Sequence, residues 1–271
     1  SDTNNSLFKK FWPASVHLIG KDILRFHCVY WPAFLMAAKI PLPERIYGHG
    51  WILSGEEKMS KSKGNILDPL DIIDTYGLDP LRYYLIKEVS FGNDGNISKD
   101  KLVDCINSDL ANNFGNLCQR VTAFAEKNCS LKVPAIKKFK EDDLIMLNKF
   151  TDNLSTIREE IDKQNVNFYI TFIVSALFEA NKYFNDQEPW KKKDDKDRLN
   201  TIVYTSLEMI RKISFMLHPI IPNSIEKVLK IFNLDSDDLE LESIASHKYL
   251  KSGNDINKID ILFKKIEKKN D

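Results

Sequence analysis

Apolar and polar positions change their spacing along this chain, and the change divides it. Val16-His17-Leu18-Ile19 is a short apolar run stopped at Gly20, the pattern of a buried parallel strand. From Lys21 the spacing becomes helical, with Ile23, Phe26, His27, Tyr30 and Trp31 three or four residues apart, and Pro32 predicts a kink or a restart. Pro41-Leu42-Pro43 closes that helix, and 45–53 reads as a second buried strand weakened by Gly48 and Gly50. Asp68-Pro69 and Asp79-Pro80 each pair an N-cap with a first-turn proline, predicting helices over roughly 69–76 and 80–89. Phe91-Gly92-Asn93-Asp94-Gly95-Asn96 is a turn-rich break and a candidate boundary. Beyond it the chain reads as almost wholly helical: a long helix capped by Ser98 and reaching about Asn128, then 141–163, 166–186, 194–217 and 221–233. Apolar stripes such as Ile170, Ile173, Val174, Leu177, Phe178 and Ala180, with no internal repeat, predict a bundle rather than a solenoid. The segment 235–260 is charged and weakly patterned, and predicts nothing definite. The fold class expected is α/β followed by all-α.

Composition adds little. With 271 residues, 43% apolar and 11% aromatic, one or two domains with a substantial core are expected. The 39 basic and 39 acidic residues cancel, so net charge argues neither for nor against a nucleic-acid partner. Cys28, Cys105, Cys118 and Cys129 lie far apart with no CxxC, which predicts no zinc site and a reducing, cytoplasmic setting. No apolar run approaches the ~18–20 residues of a membrane span. The first six residues have no targeting character, and the chain looks cut from something longer.

Candidate chemistry begins at Lys58-Met59-Ser60-Lys61-Ser62-Lys63-Gly64-Asn65. Three lysines and two serines fall within six residues, and the flanking Gly and Asn mark a loop. Such a loop suits a polyphosphate whose charge moves during reaction, although a solvated basic turn has the same composition. Asp22 follows the first strand at the end where open α/β sheets bind ligands, and as a helix cap it would sit in the same place. His27 among apolar neighbours is either a core residue or a pocket residue. Asn116 and Arg120, four apart, face one way from the long helix as a polar site or a solvated patch. Trp190, after Gln187-Glu188-Pro189 at a helix end, is either core or an exposed ring, and Lys191-Lys192-Lys193 either contacts phosphates or is solvated.

Lys58-Met59-Ser60-Lys61-Ser62 spells KMSKS, a signature of the class I aminoacyl-tRNA synthetases, and His49-Gly50-Trp51 and Gly64-Asn65 resemble its usual flanks. The run from Phe11-Trp12-Pro13-Ala14 through His17-Leu18-Ile19-Gly20-Lys21-Asp22-Ile23 to Phe26-His27 and Trp31-Pro32 resembles the methionyl-tRNA synthetases. The resemblance implies the C-terminal half of a Rossmann-type catalytic domain over 1–67, a stem-contact fold over 68–97 and a helical anticodon-binding domain over 98–271. It further implies that Gly20 and Asp22 bind the ribose of ATP, that the Ile52 backbone reads adenine, and that His49 lies beside the nucleotide. Ile23 and His27 would line the methionine pocket, where sulfur–aromatic contacts contribute ~0.3–1.5 kcal/mol. Lys61 would stabilise the transferring phosphates and Lys58 would support the loop. Asn116, Arg120, Pro189 and Trp190 would read the anticodon of methionine tRNA by hydrogen bonding and stacking.

ATP with Mg2+, methionine and tRNA(Met) are the implied partners, no metal site is implied in this portion, and the ending Ile261-Leu262-Phe263-Lys264-Lys265-Ile266-Glu267 resembles monomeric short bacterial enzymes. One departure matters: these residues contain no His-x-Gly-His, the other signature of the class, so the chain alone is expected to be inactive. Two other functions fit: a non-catalytic tRNA-binding subunit using only the bundle, and a related synthetase for Leu, Ile, Val or Cys. The Glu188-Pro189-Trp190 and Phe26-His27 pairings favour methionine.

Overall fold

The computed structural model describes residues 6–54, 57–58 (backbone) and 67–267. Lys61 and the rest of 59–66 lie outside the described residues. The chain forms two compact units, Ser1–Leu67 with Glu88–Ile97, and Asp68–Lys87 with Ser98–Asp271.

The first unit opens with α1 (Ser6–Phe11) and β1 (His17–Gly20), which pairs in parallel with β2 (Ile46–His49), Gly20 facing His49. The expected helix between them arrives in pieces. A 3-10 turn (Lys21–Ile23) and a π-helical turn (Phe26–Tyr30) lead into α2 (Trp31–Ala37), which restarts with Pro32 in its first turn. Two expectations are corrected here. The strands are not buried, since only Ile19 of β1 is inside and Leu18 is 59% exposed. The run 45–53 is also two strands, β2 and β3 (Ile52–Ser54), because the ladder changes partners at Gly50-Trp51. A β-carbon on Gly50 would lie 2.2 Å from the Asn93 backbone, and the Trp51 N–H goes to Asp94 Oδ1 at 2.9 Å. Beyond that point β3 pairs antiparallel with β4 (Glu57–Lys58) and parallel with β5 (Gly95–Asn96). Lys58, expected in a loop, is therefore a strand residue by its backbone.

The second unit is helical. Asp68 caps α3 (Pro69–Tyr76) as expected, accepting from Leu70 N at 2.8 Å. Asp79 does not cap its own helix, because α4 (Leu78–Glu88) starts before it. The Asp79 carboxylate instead takes Ser224 N and the Asn223 amide, at the start of α11 (Pro222–Leu229). Ser98 caps a helical run composed of α5 (Lys99–Cys105), a π-helical stretch (Ile106–Gly115) and α6 (Asn116–Cys129). The predicted 141–163 helix is broken into α7 (Glu141–Asn148) and α8 (Leu154–Asp162), with a 3-10 turn between them. The next is as expected, α9 (Val166–Asp186), although Phe178 faces outward at 64% exposure.

At the centre lies α10 (Lys196–Leu217), packed against α6, α7, α9 and α11 and buried on all sides, as an interior helix must be. It carries charges that are paired inside. Glu208 accepts from Arg211 Nε at 2.7 Å, Tyr204 Oη at 3.1 Å and Leu250 N at 2.8 Å. Arg211 donates to Ser243 Oγ and O, and Lys212 Nζ to Leu147 O at 2.7 Å. The unassigned segment 235–260 is thus pinned to the core by buried charge. No helix among the described residues is long and apolar enough to cross a membrane.

Candidate functional site

The carboxyl ends of β1 and β2 bring Gly20, Asp22 and His49 together. A β-carbon on Gly20 would lie 2.6 Å from Asp22 Oδ1 and 4.0 Å from His49 Cε1, so the Asp22 carboxylate rests where a side chain at Gly20 would begin. Asp22 is exposed, and among the described residues its carboxylate caps nothing and accepts no hydrogen bond. His49 Nδ1 lies 2.9 Å from the Gly50 carbonyl. A carbonyl only accepts, so Nδ1 is the donor in this contact.

A latch that sequence reasoning missed braces this corner. Lys21, inside the Gly20-x-Asp22 turn, reaches both oxygens of Asp94 at 2.6 and 2.7 Å and lies 4.3 Å over the Trp51 ring. The Lys21 ammonium first, and the Trp51 N–H second, hold the Asp94 carboxyl below its ordinary pKa. Asp94 thereby ties the Gly20-x-Asp22 turn to the start of β3. Its only sequence signal was a place in a turn-rich stretch.

Beside the strands lies an open cleft of about 830 Å³, lined by His27 together with Phe26, Tyr30, Trp31 and Phe34. His27 Nδ1 is 3.0 Å from the Ile23 carbonyl, which directs Nε2 away from the helix backbone. Ile23 itself is 37% exposed and does not line this cleft; it orients His27 through its carbonyl. Ile52 faces Gly95 in the sheet register and is 39% exposed. Among the described residues no group of three or more His, Cys, Asp or Glu could hold a metal ion.

In the helical unit, Arg120 and Trp190 meet on a ring that sequence reasoning assigned no role. The Phe184 ring has the Arg120 guanidinium 5.5 Å from its centroid and the Trp190 ring 6.1 Å away at 70°. Arg120 Nη2 also donates to Asn185 Oδ1 at 2.5 Å. Pro189 is buried, Glu188 takes a left-handed backbone at φ 44°, and Trp190 is left 40% exposed. Asn116, one turn before Arg120 on α6, is half-buried. Of the lysine run, Lys191 pairs with Glu188 at 2.7 Å.

Comparison with known proteins accounts for both units. Residues 1–122 match the family described as tRNA synthetases class I (M), and residues 133–271 match the anticodon binding domain of methionyl tRNA ligase. The methionine–tRNA ligase of Brucella suis is 44% identical over 247 residues, 91% of this chain and 48% of that protein. That of Rickettsia conorii is 41% identical over 266 residues, 97% of this chain and 52% of that protein. Among solved structures, Mycobacterium tuberculosis methionyl-tRNA synthetase in complex with methionyl-adenylate superposes with a TM-score of 0.91 at 38% identity, covering 97% of this chain and 52% of that one. The chain spans about half the length of the curated relatives it matches. With catalytic-type strands in one unit and the anticodon-domain match spanning most of the other, this chain belongs to the methionyl-tRNA synthetase family of class I aminoacyl-tRNA synthetases.

Proposed function

We propose that this chain supplies part of a methionine–tRNA ligase. A methionine carboxylate oxygen attacks the α-phosphorus of ATP, the bond to pyrophosphate breaks, and methionyl-adenylate forms. A hydroxyl of the terminal tRNA ribose then attacks the acyl carbon, and AMP leaves. The observation that carries the reading is the exposed Asp22 carboxylate, which accepts no hydrogen bond among the described residues and lies beside Gly20 and His49 at the carboxyl ends of β1 and β2. Its likeness to a synthetase solved with methionyl-adenylate supports it.

In this reading the missing Gly20 side chain admits the ribose, and Asp22 accepts hydrogen bonds from its hydroxyls. His49 stands beside the nucleotide and the Ile52 backbone reads the adenine edge. The aromatic cleft with His27 receives the thioether, where sulfur–ring contacts are favourable. Lys61 neutralises charge developing on the phosphates of magnesium-bound ATP, a substrate rather than a resident cofactor, and Lys58 supports it. Asn116, Arg120, Pro189 and Trp190 read the anticodon of methionine tRNA, and 68–97 supplies the stem-contact fold, its residues shared between the two units. A monomer in a reducing cytoplasm is the setting we propose, consistent with four free thiols.

ATP–pyrophosphate exchange tests the reading. Residues 1–271 alone, which contain no His-x-Gly-His, should show at most trace exchange, and addition of a polypeptide bearing that half should give methionine-dependent exchange. Exchange that answers to leucine, isoleucine, valine or cysteine instead would reassign the amino acid. Anticodon binding with no exchange under any complementation would leave a tRNA-binding subunit.

A further inference from the structure

The turn that presents Trp190 is held from behind by buried charges that base reading itself does not use. Asp143, in the first turn of α7, takes both arms of the Arg198 guanidinium, Nη1 to Oδ2 at 2.6 Å and Nη2 to Oδ1 at 3.0 Å. The Tyr183 hydroxyl also donates to Asp143 Oδ1, and Lys140 N donates to Oδ2 at 2.8 Å. Burial alone would raise the Asp143 pKa, but the bonds from Arg198, Tyr183 and Lys140 outweigh it and keep the carboxyl below its usual value. The pair is therefore ionised and fixed.

Arg198 has one more partner. Its Nη2 donates to Gln187 Oε1 at 2.6 Å, while Gln187 Nε2 donates to Asp142 Oδ2 at 3.0 Å. Two consecutive residues of α7 thus grip both ends of one amide, Asp142 directly and Asp143 through Arg198. Gln187 is the C-cap of α9, and the left-handed Glu188 follows at once. A side-chain-bearing residue keeps that conformation only where its surroundings impose it. Buried ion pairs contribute little net stability compared with well-packed apolar residues, so a geometric role fits this one better than a stabilising role.

We propose that the Arg198–Asp143 pair, acting through the Gln187 amide, fixes the turn at Glu188 and so sets the orientation of the Trp190 ring. Gln187, Arg198 and Asp143 are positioning residues for anticodon recognition. The inference rests on the reading of Trp190 as a stacking platform.

Gln187→Leu is the informative substitution, because it keeps the ion pair and fills the half-buried site. Binding of a stem-loop RNA with a CAU anticodon is measured for the unmodified chain, Gln187→Leu, Trp190→Ala and the double variant, with thermal melting of each. Gln187→Leu should weaken binding about 5- to 30-fold, within the roughly 5- to 150-fold that losing a stacking platform costs. Its melting midpoint should stay within about 3 °C of the unmodified chain. In the Trp190→Ala background the same change should cost nothing further, since its route to the RNA is gone. Arg198→Lys, which keeps the charge but loses the fork, should follow Gln187→Leu. Normal binding by Gln187→Leu alongside weak binding by Trp190→Ala would overturn the positioning role alone. Additive losses in the double variant would overturn it as well. Normal binding by Trp190→Ala would remove the platform reading, and this proposal with it.

Discussion

Gly20 and His49 stand opposite each other at the ends of two parallel strands, and a β-carbon on Gly20 would come 4.0 Å from the His49 ring. An added methyl would sit 2.6 Å from Asp22 Oδ1 and force that carboxylate aside. Strand register, glycine and acid are thus one arrangement.

That arrangement gives the first prediction. On the proposed reading, Asp22→Ala in the complete enzyme removes a charged acceptor of ribose hydroxyls, worth ~1.5–3 kcal/mol, so the KM for ATP should rise about 10- to 150-fold. Gly20→Ala should move the KM for ATP in the same direction. The exposed Asp22→Ala should alter stability by no more than ~0.5 kcal/mol. Steady-state pyrophosphate exchange at varied ATP and methionine checks this, and an equal rise in the methionine KM would argue against a ribose role.

Lys61 tests the KMSKS reading. Removing one donor that stabilises transition-state charge typically costs ~2.7–4 kcal/mol, or about 10²–10³ in turnover. Lys61→Ala should slow adenylate formation by that factor with methionine affinity nearly unchanged, as single-turnover kinetics would reveal. A matching loss of methionine affinity would give Lys61 a structural role instead.

Trp190 tests the bundle. At 40% exposure its ring contributes only part of a core residue's packing. Trp190→Ala should therefore weaken binding of methionine tRNA by ~1–3 kcal/mol and lower the melting temperature little. Truncation of a buried tryptophan would instead cost ~3–5 kcal/mol of stability. Arg120→Ala and Asn116→Ala should resemble Trp190→Ala, weakening a CAU anticodon far more than an altered one.

Lys212 gives a pH prediction independent of function. Burial lowers its pKa to about 8, with Glu208 opposing the shift and Arg211 adding to it. The unfolded chain, with an ordinary lysine, holds more protons between about pH 8 and 10.5, so this residue's contribution to stability rises across that window. The rise amounts to at most about 3 kcal/mol. Lys212→Met removes the titration, so the stability of the unmodified chain relative to the variant should increase from pH 7 to pH 10. Parallel urea-melt curves across that range would show that Lys212 does not titrate there.

Much of this was legible in the sequence where local signals agree. Asp68-Pro69 named its helix start, and the apolar period of 166–186 gave α9 to the residue. What failed depended on distant partners. The run 45–53 looked like one strand because nothing local says that Asn93 and Asp94 will seize Gly50 and Trp51. The segment 235–260 had no apolar stripe because part of its anchorage is charge, through Ser243 to Arg211 and Leu250 to Glu208. At the site, KMSKS, Gly20-x-Asp22 and Glu188-Pro189-Trp190 carried a resemblance. Lys21–Asp94 and Phe184 did not, since one is an ion pair across 73 residues and the other an ordinary helix-face aromatic.

The Asp79 carboxylate at the start of α11 has a consequence for how the molecule is made. Arg82, one turn later on α4, donates to the carbonyls of Ile220 and Pro219, so α4 holds both sides of the corner between α10 and α11. These bonds span 138 and 145 residues of chain, and such non-local closures slow folding. At ~5–20 residues per second the ribosome needs roughly 7–30 s after emitting α4 to deliver its partner. Through that interval Asp79, 4% exposed in the finished fold, waits without the amide it will cap. A nascent chain arrested before residue 219 should therefore hold α4 undocked and open to protease, and release into cooperative protection should come only when the corner emerges.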